Sequence, residues 1–152
     1  QVFDLSTCIA EVTGHCQILY DNKFLCQYDK SESLFATGDS DRLKQCLANI
    51  ISNASKYSPP GSLITIDMKQ QGHEIEISVV DVGEGIARDQ QSRVFQRFKR
   101  ADGAKARSGT TSSGLGLAIV KMLMEAMHGS VEVYSELGKG SCFRLRLPAY
   151  LP

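Results

Sequence analysis

Apolar residues recur at helical spacing in three stretches of the chain, and five shorter runs, three between these stretches and two after the last, read as strands. Ser6 is predicted to cap a first helix running to about Asn22, with Ile9, Val12, Cys16 and Leu19 at helical spacing. Phe24 to Tyr28 reads as a short strand. Asp39 or Ser40 caps a second helix, in which Leu43, Leu47, Ile50, Ile51 and Ala54 form one apolar stripe. The Ser58-Pro59-Pro60-Gly61 break ends it. Leu63 to Lys69 and Glu74 to Asp81 then make a hairpin through Gln70-Gln71-Gly72-His73, and "EIEISVV" alternates over its first half as one sheet face against a core requires.

A short helix is expected near Arg88 to Arg97, followed by a polar, Gly/Ser-rich segment from Lys99 to Ser113. That segment is too long and too poor in apolar residues for a buried loop, so it is expected to be mobile or functional. Leu117 to Met127 forms the last helix, closed by His128-Gly129. Val131 to Ser135 and Cys142 to Leu147 form a final hairpin across Glu136-Leu137-Gly138-Lys139-Gly140. The order predicts an α/β protein: a two-layer sandwich in which a mixed, mostly antiparallel sheet of about five strands packs on three main helices. The sheet's other face is expected to be more exposed.

Composition narrows the function. The 152 residues fit one domain, 1–152, with an apolar share of 42%. Seventeen basic residues balance seventeen acidic ones, which argues against a dedicated nucleic-acid or membrane-surface protein. No apolar run approaches the roughly 20 residues of a membrane span, so a soluble, cytoplasmic domain is expected. Cys8, Cys16, Cys26, Cys46 and Cys142 are odd in number and scattered, without zinc-ligand spacing, and read as five buried thiols in a reducing compartment. The opening "QVFDLS" reads as the middle of a longer polypeptide, from which this domain is excised.

Three stretches are candidates for chemistry. Asn49, Asn53 and Lys56 share a face of the second helix, well round the cylinder from the apolar stripe. Asn has middling to poor helix propensity, so two in a strong helix call for a reason. They form either a solvated face or a site where amide oxygens hold a hard cation such as Mg²⁺ and Lys56 meets phosphate. In "DVGEGI", Asp81 ends a strand before two glycines. This is either an ordinary turn or an acceptor for an exocyclic amine such as that of adenine, with Gly83 and Gly85 letting the backbone approach a flat ring. In "SSGLGLAIVK", Gly114 and Gly116 lead into a helix, as a phosphate cradle or a packing turn would. A Rossmann fingerprint is unsupported, because Arg88 stands where its third glycine belongs. A P-loop fails because Leu115 stands where its lysine belongs.

Taken in order, these stretches resemble the catalytic, ATP-binding domain of sensor histidine kinases, within the ATPase superfamily that includes gyrase, the Hsp90 chaperones and MutL. "DRLKQCLANIISNASKYSP" resembles that family's N box, "DVGEGI" its first glycine box, "RVFQRFKR" its F box and "SSGLGLAIVK" its second glycine box. "HGSVEVYSELGKGSCFRLRLP" resembles its C-terminal ending. The resemblance covers nearly the whole chain and implies a Bergerat-type fold with a mobile ATP lid at about 99–113.

By the same resemblance, the domain binds Mg·ATP and donates the γ-phosphoryl group to a histidine. Asn53 is the implied Mg²⁺ ligand, Asn49 a polar partner near the phosphates, and Lys56 and Tyr57 lie beside phosphates and nucleotide. Asp81 is implied to bind the adenine amine, with Gly83, Gly85 and Ile86 shaping the ring's slot. Phe95 and Phe98 anchor the base of the lid, and Arg100 reaches the phosphates. Gly114, Leu115, Gly116 and Leu117 meet them from the far side. Lys99, Lys105 and Arg107 are further candidates to neutralise a triphosphate. Asn53, Lys56 and Arg100 are the implied catalytic set.

The hydrolytic relatives place a water-activating Glu where this chain has Asn49. An amide cannot act as a general base, so transfer to histidine is favoured over hydrolysis. His15, His73 and His128 lack the setting of a phosphoacceptor, which is therefore expected on a helical hairpin elsewhere in the parent protein, in cis or in trans. A response regulator would act downstream, without nucleic acid or direct membrane contact, and this domain alone is expected to be monomeric. The alternatives are a non-catalytic, ATP-binding scaffold and a serine kinase of the anti-sigma-factor type.

Overall fold

The computed structural model describes residues 1–29, 33–91, 93–96 and 115–151, and all structural statements concern these residues. The elements run β1 (Val2–Asp4), α1 (Leu5–Leu19), β2 (Lys23–Cys26), β3 (Phe35–Thr37), α2 (Ser40–Tyr57), β4 (Leu63–Gln71), β5 (Glu74–Asp81), α3 (Arg88–Gln91), α4 (Leu115–Ala126), β6 (Ser130–Glu136) and β7 (Gly140–Pro148).

Five strands form one sheet in the order β2-β4-β5-β7-β6. Only β2 and β4 run parallel, because the connection between them crosses over through α2; the other neighbours are antiparallel. The expected α/β sandwich on three main helices is therefore the observed architecture. β1 and β3, a separate antiparallel pair of three residues each, were not apparent from the sequence.

One sheet face carries Ile64, Ile66, Ile75, Ile77, Val79, Phe143, Leu145 and Leu147, all buried against the helices. The apolar stripe of α2 faces them, with Leu43, Leu47, Ile50, Ile51 and Ala54 almost wholly withdrawn from water. Truncating such a residue to Ala costs about 2–5 kcal/mol. The opposite sheet face is mixed. Glu76 lies there between Arg144, at 3.5 Å, and Arg146, at 3.7 Å, and Arg146 also pairs with Glu132. The Arg144 guanidinium stacks 4.4 Å above the Tyr134 ring.

Several boundaries differ from expectation. The cap of α1 is Asp4, whose Oδ1 accepts from the Ser6 N–H at 3.0 Å, so Ser6 lies inside the helix. The helix stops at Leu19 rather than Asn22, because the chain turns extended at Tyr20 and Asn22 is held by the Ser62 carbonyl and by Ser55. Leu19 and its neighbour Ile18 are exposed, so the buried stripe of α1 ends at Cys16. β2 begins at Lys23 and ends at Cys26; Tyr28 lies beyond it, buried. α3 covers only Arg88–Gln91, and Arg93–Phe95 continue as a turn. β4, β6 and β7 are each longer than expected, and α4 starts at Leu115 and ends at Ala126. All five cysteines are free, but Cys26 and Cys142 are only half-buried, which corrects the expectation of five buried thiols. No described helix is long and apolar enough to cross a membrane.

Candidate functional site

α2 supplies one wall of the site. Asp39 caps it, its Oδ1 accepting from the Asp41 and Arg42 N–H groups, so the helix start is fixed and the stripe is set in register with the sheet. With the stripe buried, Asn49, Asn53, Lys56 and Tyr57 come out half-buried along the flank of the helix. Lys56 has no ion pair among the described residues.

The end of β5 supplies the second wall. Asp81 is buried, and its Oδ1 accepts the Gly83 N–H at 2.9 Å. Burial pushes its pKa above the usual 3.8, while backbone hydrogen bonds from Gly83 and Ser141 act the other way. A buried carboxylate at a strand end is costly unless it has polar partners, and here the backbone supplies them.

The loop after Asp81 is drawn against α2 and against the β6–β7 hairpin. The Glu84 N–H points to the Tyr57 carbonyl at 3.4 Å, and the Gly138 N–H donates to the Glu84 carbonyl at 2.9 Å. A Cβ on Gly83 would stand 2.4 Å from the Tyr57 carbonyl oxygen, and one on Gly85 would stand 2.3 Å from that of Glu136. Gly85 also has φ +79°, so both glycines are required by space and one of them by conformation. Ile86 and Leu117 pack their side chains partly into the core, so any part they take in ligand contact falls to their backbone and exposed edges.

α4 brings the described part of the second glycine box, from Leu115 on, against α2. A Cβ on Gly116 would lie 3.9 Å from the amide carbon of Asn49, so these two sequence-predicted residues are neighbours. Phe95, from the F box, meets Phe143 edge-on, with centroids 6.1 Å apart and planes at 89°. Leu115 opens α4. Arg100 and Gly114, together with Phe98, Lys99, Lys105, Arg107 and the expected lid, lie outside the described residues.

The structure thus brings Tyr57, Asp81, Gly83, Gly85 and Ile86 together, and separately Asn49 and Gly116. Sequence reasoning missed Ser135, Gln91 and Gly140. Ser135 Oγ accepts from the Ile86 N–H, and a Cβ on Gly140 would press on the Asp81 carbonyl oxygen. "SELGKG" marked a turn, but no local pattern ties it to a loop some fifty positions away.

Among the described residues no group of three or more His, Cys, Asp or Glu side chains could hold a metal ion. A cation here would need oxygens from a bound phosphate and water beside an Asn amide, which suits Mg²⁺, an ion that keeps most of its ligands outside the protein.

Comparison with known proteins bears on this arrangement. Residues 38–151 match the model of the histidine kinase-, DNA gyrase B- and HSP90-like ATPases. The chain is 43% identical over 149 residues to the sensor-like histidine kinase SenX3 of Mycobacterium tuberculosis, covering 97% of this chain and 36% of that protein. It is 45% identical over 112 residues to the sensor protein SrrB of Staphylococcus aureus, covering 74% of this chain and 19% of that one. The chain therefore spans about a third or less of these relatives. Among solved structures, a mycobacterial sensor histidine kinase, MprB, superposes with a TM-score of 0.85 at 26% identity, covering 100% of this chain and 99% of that one. Full-length ShkA in complex with AMPPNP gives 0.79 at 28% identity, covering 100% and 31%.

Proposed function

The chain belongs to the histidine kinase-, DNA gyrase B- and HSP90-like ATPases, as a catalytic ATP-binding domain of the sensor histidine kinase type, and from that premise we propose that it binds Mg·ATP and hands the γ-phosphoryl group to a histidine on a helical hairpin of its parent protein. The observation that carries this reading is the buried Asp81 carboxylate, set at the end of a central strand beside a glycine loop with no room for side chains. Such a slot suits a flat base that offers an amine to a carboxylate, and ShkA, at 28% identity, was solved with AMPPNP.

In this reading Asp81 selects adenine, and the half-buried flank of α2 faces the phosphates. Asn53 would hold Mg²⁺, which would supply charge neutralisation on the triphosphate; Asn49 would be a polar partner near the phosphates and Lys56 and Arg100 would add positive charge, with Gly114, Leu115, Gly116 and Leu117 meeting the phosphates from the far side. The acceptor imidazole nitrogen forms its bond to phosphorus as the bond to the β-phosphate oxygen breaks and ADP leaves. Positioning and charge dominate such a transfer, so no side chain need act as a base on water. Asn49, an amide where the hydrolytic relatives carry Glu, supports transfer over hydrolysis. The domain would work on the cytoplasmic side as a monomer docking on its hairpin, with a response regulator downstream.

The test is direct. Calorimetry should show Mg·ATP binding in preference to Mg·GTP, and incubation with a histidine-bearing hairpin domain from the parent protein should give an acid-labile phosphoprotein. Binding without transfer would favour the scaffold reading, and an acid-stable product would favour a serine kinase.

A further inference from the structure

Ser135 lies on the edge strand β6, paired with Ser141 on the sheet face that the helices cover, and its hydroxyl is fully engaged. Its Oγ accepts the Ile86 N–H at 2.7 Å, donates to the Gly140 carbonyl at 2.9 Å, and sits 2.8 Å from the Ser141 hydroxyl. A serine oxygen has one proton and two acceptor sites, so Ser141 as donor completes the set. From the other side, Gln91 on α3 uses its Nε2 to donate to the carbonyls of both Ile86 and Ser135, each at 2.9 Å.

Ile86 is therefore gripped at both of its backbone polar groups, its N–H by Ser135 and its carbonyl by Gln91. The other contacts of the loop lead to the same hairpin, through Gly138 N–H on the Glu84 carbonyl and Gly85 against Glu136. Ser135 itself touches neither the α2 flank nor Asp81 through any described hydrogen bond. Its partners are the Ile86 N–H in the loop and Gly140 and Ser141 at the start of β7, which themselves lie against Asp81.

We infer that Ser135, backed by Gln91, is a positioning residue for the base-binding slot: the pair fixes the loop after Asp81 against the β6–β7 hairpin before a nucleotide arrives. A loop ordered in advance does not lose that freedom on binding, so affinity is gained without a new contact to the ligand. The inference rests on the adenine reading of Asp81 and its glycine loop. Because the grip acts on the base end, it should affect every adenine nucleotide alike, whatever its phosphate count.

The experiment compares Ser135→Ala, Ser135→Thr and Gln91→Met with the wild type, using ADP and Mg·ATP as probes. Ser135→Ala is expected to weaken both nucleotides by the same factor, about tenfold. The loss should fall on KM rather than kcat in phosphorylation of the histidine-bearing hairpin. Threonine keeps the hydroxyl and suits a strand, so Ser135→Thr should restore most of the affinity. Gln91→Met keeps the volume and removes both hydrogen bonds from the side-chain amide, and should repeat the loss. In the nucleotide-free protein, exchange of the Ile86 amide hydrogen should speed up in Ser135→Ala. A folded Ser135→Ala that binds ADP as the wild type does would overturn the inference, as would a loss confined to Mg·ATP. If Ser135→Ala does not fold, the same outcomes are read from Gln91→Met. A wild type that binds no adenine nucleotide would instead overturn the adenine reading, and the inference with it; this outcome is recognisable because it appears before any substitution.

Discussion

The Asp81 carboxylate accepts the N–H of Gly83, two residues on, at 2.9 Å, and this short turn aims the strand end into the site. Burial raises the Asp81 pKa above its usual 3.8, so the folded chain keeps this proton to a higher pH than the unfolded chain does. Its effect on stability is therefore nil below 3.8 and becomes a cost as pH rises from there through the raised folded value. Asp81→Asn is expected to melt at or above the wild-type temperature at pH 7, an advantage that fades as pH falls toward 3.8. The same variant should bind ATP more weakly by about 2 kcal/mol, roughly thirtyfold in Kd. Thermal melts across pH together with calorimetry check both halves.

Asn53 is half-buried on α2, and its side chain makes no hydrogen bond among the described residues. Asn53→Ala should leave stability within about 0.5 kcal/mol of wild type and lower histidine phosphorylation by about a hundredfold or more. Phosphotransfer measured against Mg²⁺ concentration tests this, and an active Asn53→Ala protein would remove the metal assignment.

The glycines divide by their surroundings. Gly83→Ala and Gly85→Ala push a methyl group to within 2.4 and 2.3 Å of backbone carbonyl oxygens, so the loop must move; each should cost about 1–3 kcal/mol and nucleotide affinity besides. Gly14, in the middle of α1 with open space around it, should behave in the opposite way. Gly14→Ala is expected to add about 1 kcal/mol, or roughly 3 °C in Tm. Denaturation curves for the three variants give the comparison.

Phe95 and Phe143 meet edge-to-face. Phe95→Leu together with Phe143→Leu should show a coupling of about 1 kcal/mol in a double-mutant cycle of unfolding. A coupling near zero would mean that the F box rests on apolar area alone.

The parts legible in the sequence were those specified locally. α2 carries its own cap, stripe and stop, and β4–β5 declares its turn, so both were readable within a residue or two. The Asn face and the Asp81 loop were legible as residue types, and their order along the chain named the family. What could not be read depends on distant partners. β1 and β3 have three residues each and exist because Val2 finds Thr37. Asp4 rather than Ser6 caps α1, where two good capping residues stand two positions apart and the Leu5 N–H is already taken by the Leu34 carbonyl. The grip of Ser135 on Ile86 joins a strand to a distant loop that only the folded chain brings together.

Met127 takes the Asp39 N–H on its sulfur at 3.5 Å, and Gly129 lies flush against the Arg146 carbonyl, so the C-terminal end of α4 is riveted to the start of α2 and to β7. At its other end α4 meets the middle of α2, where Gly116 faces Asn49. Between these points the helices stay packed, with Cys46, Val120 and Met124 buried along the contact. Eleven residues of helix at 1.5 Å each place Gly116 about 16 Å from Met127, so a tilt of only about 4° about that end would move it by roughly 1 Å. A misplacement of reacting groups by that distance can cost an enzyme about a hundredfold in rate. In the proposed phosphoryl transfer, packing at Met127 would thus set a mechanical tolerance from the far end of α4.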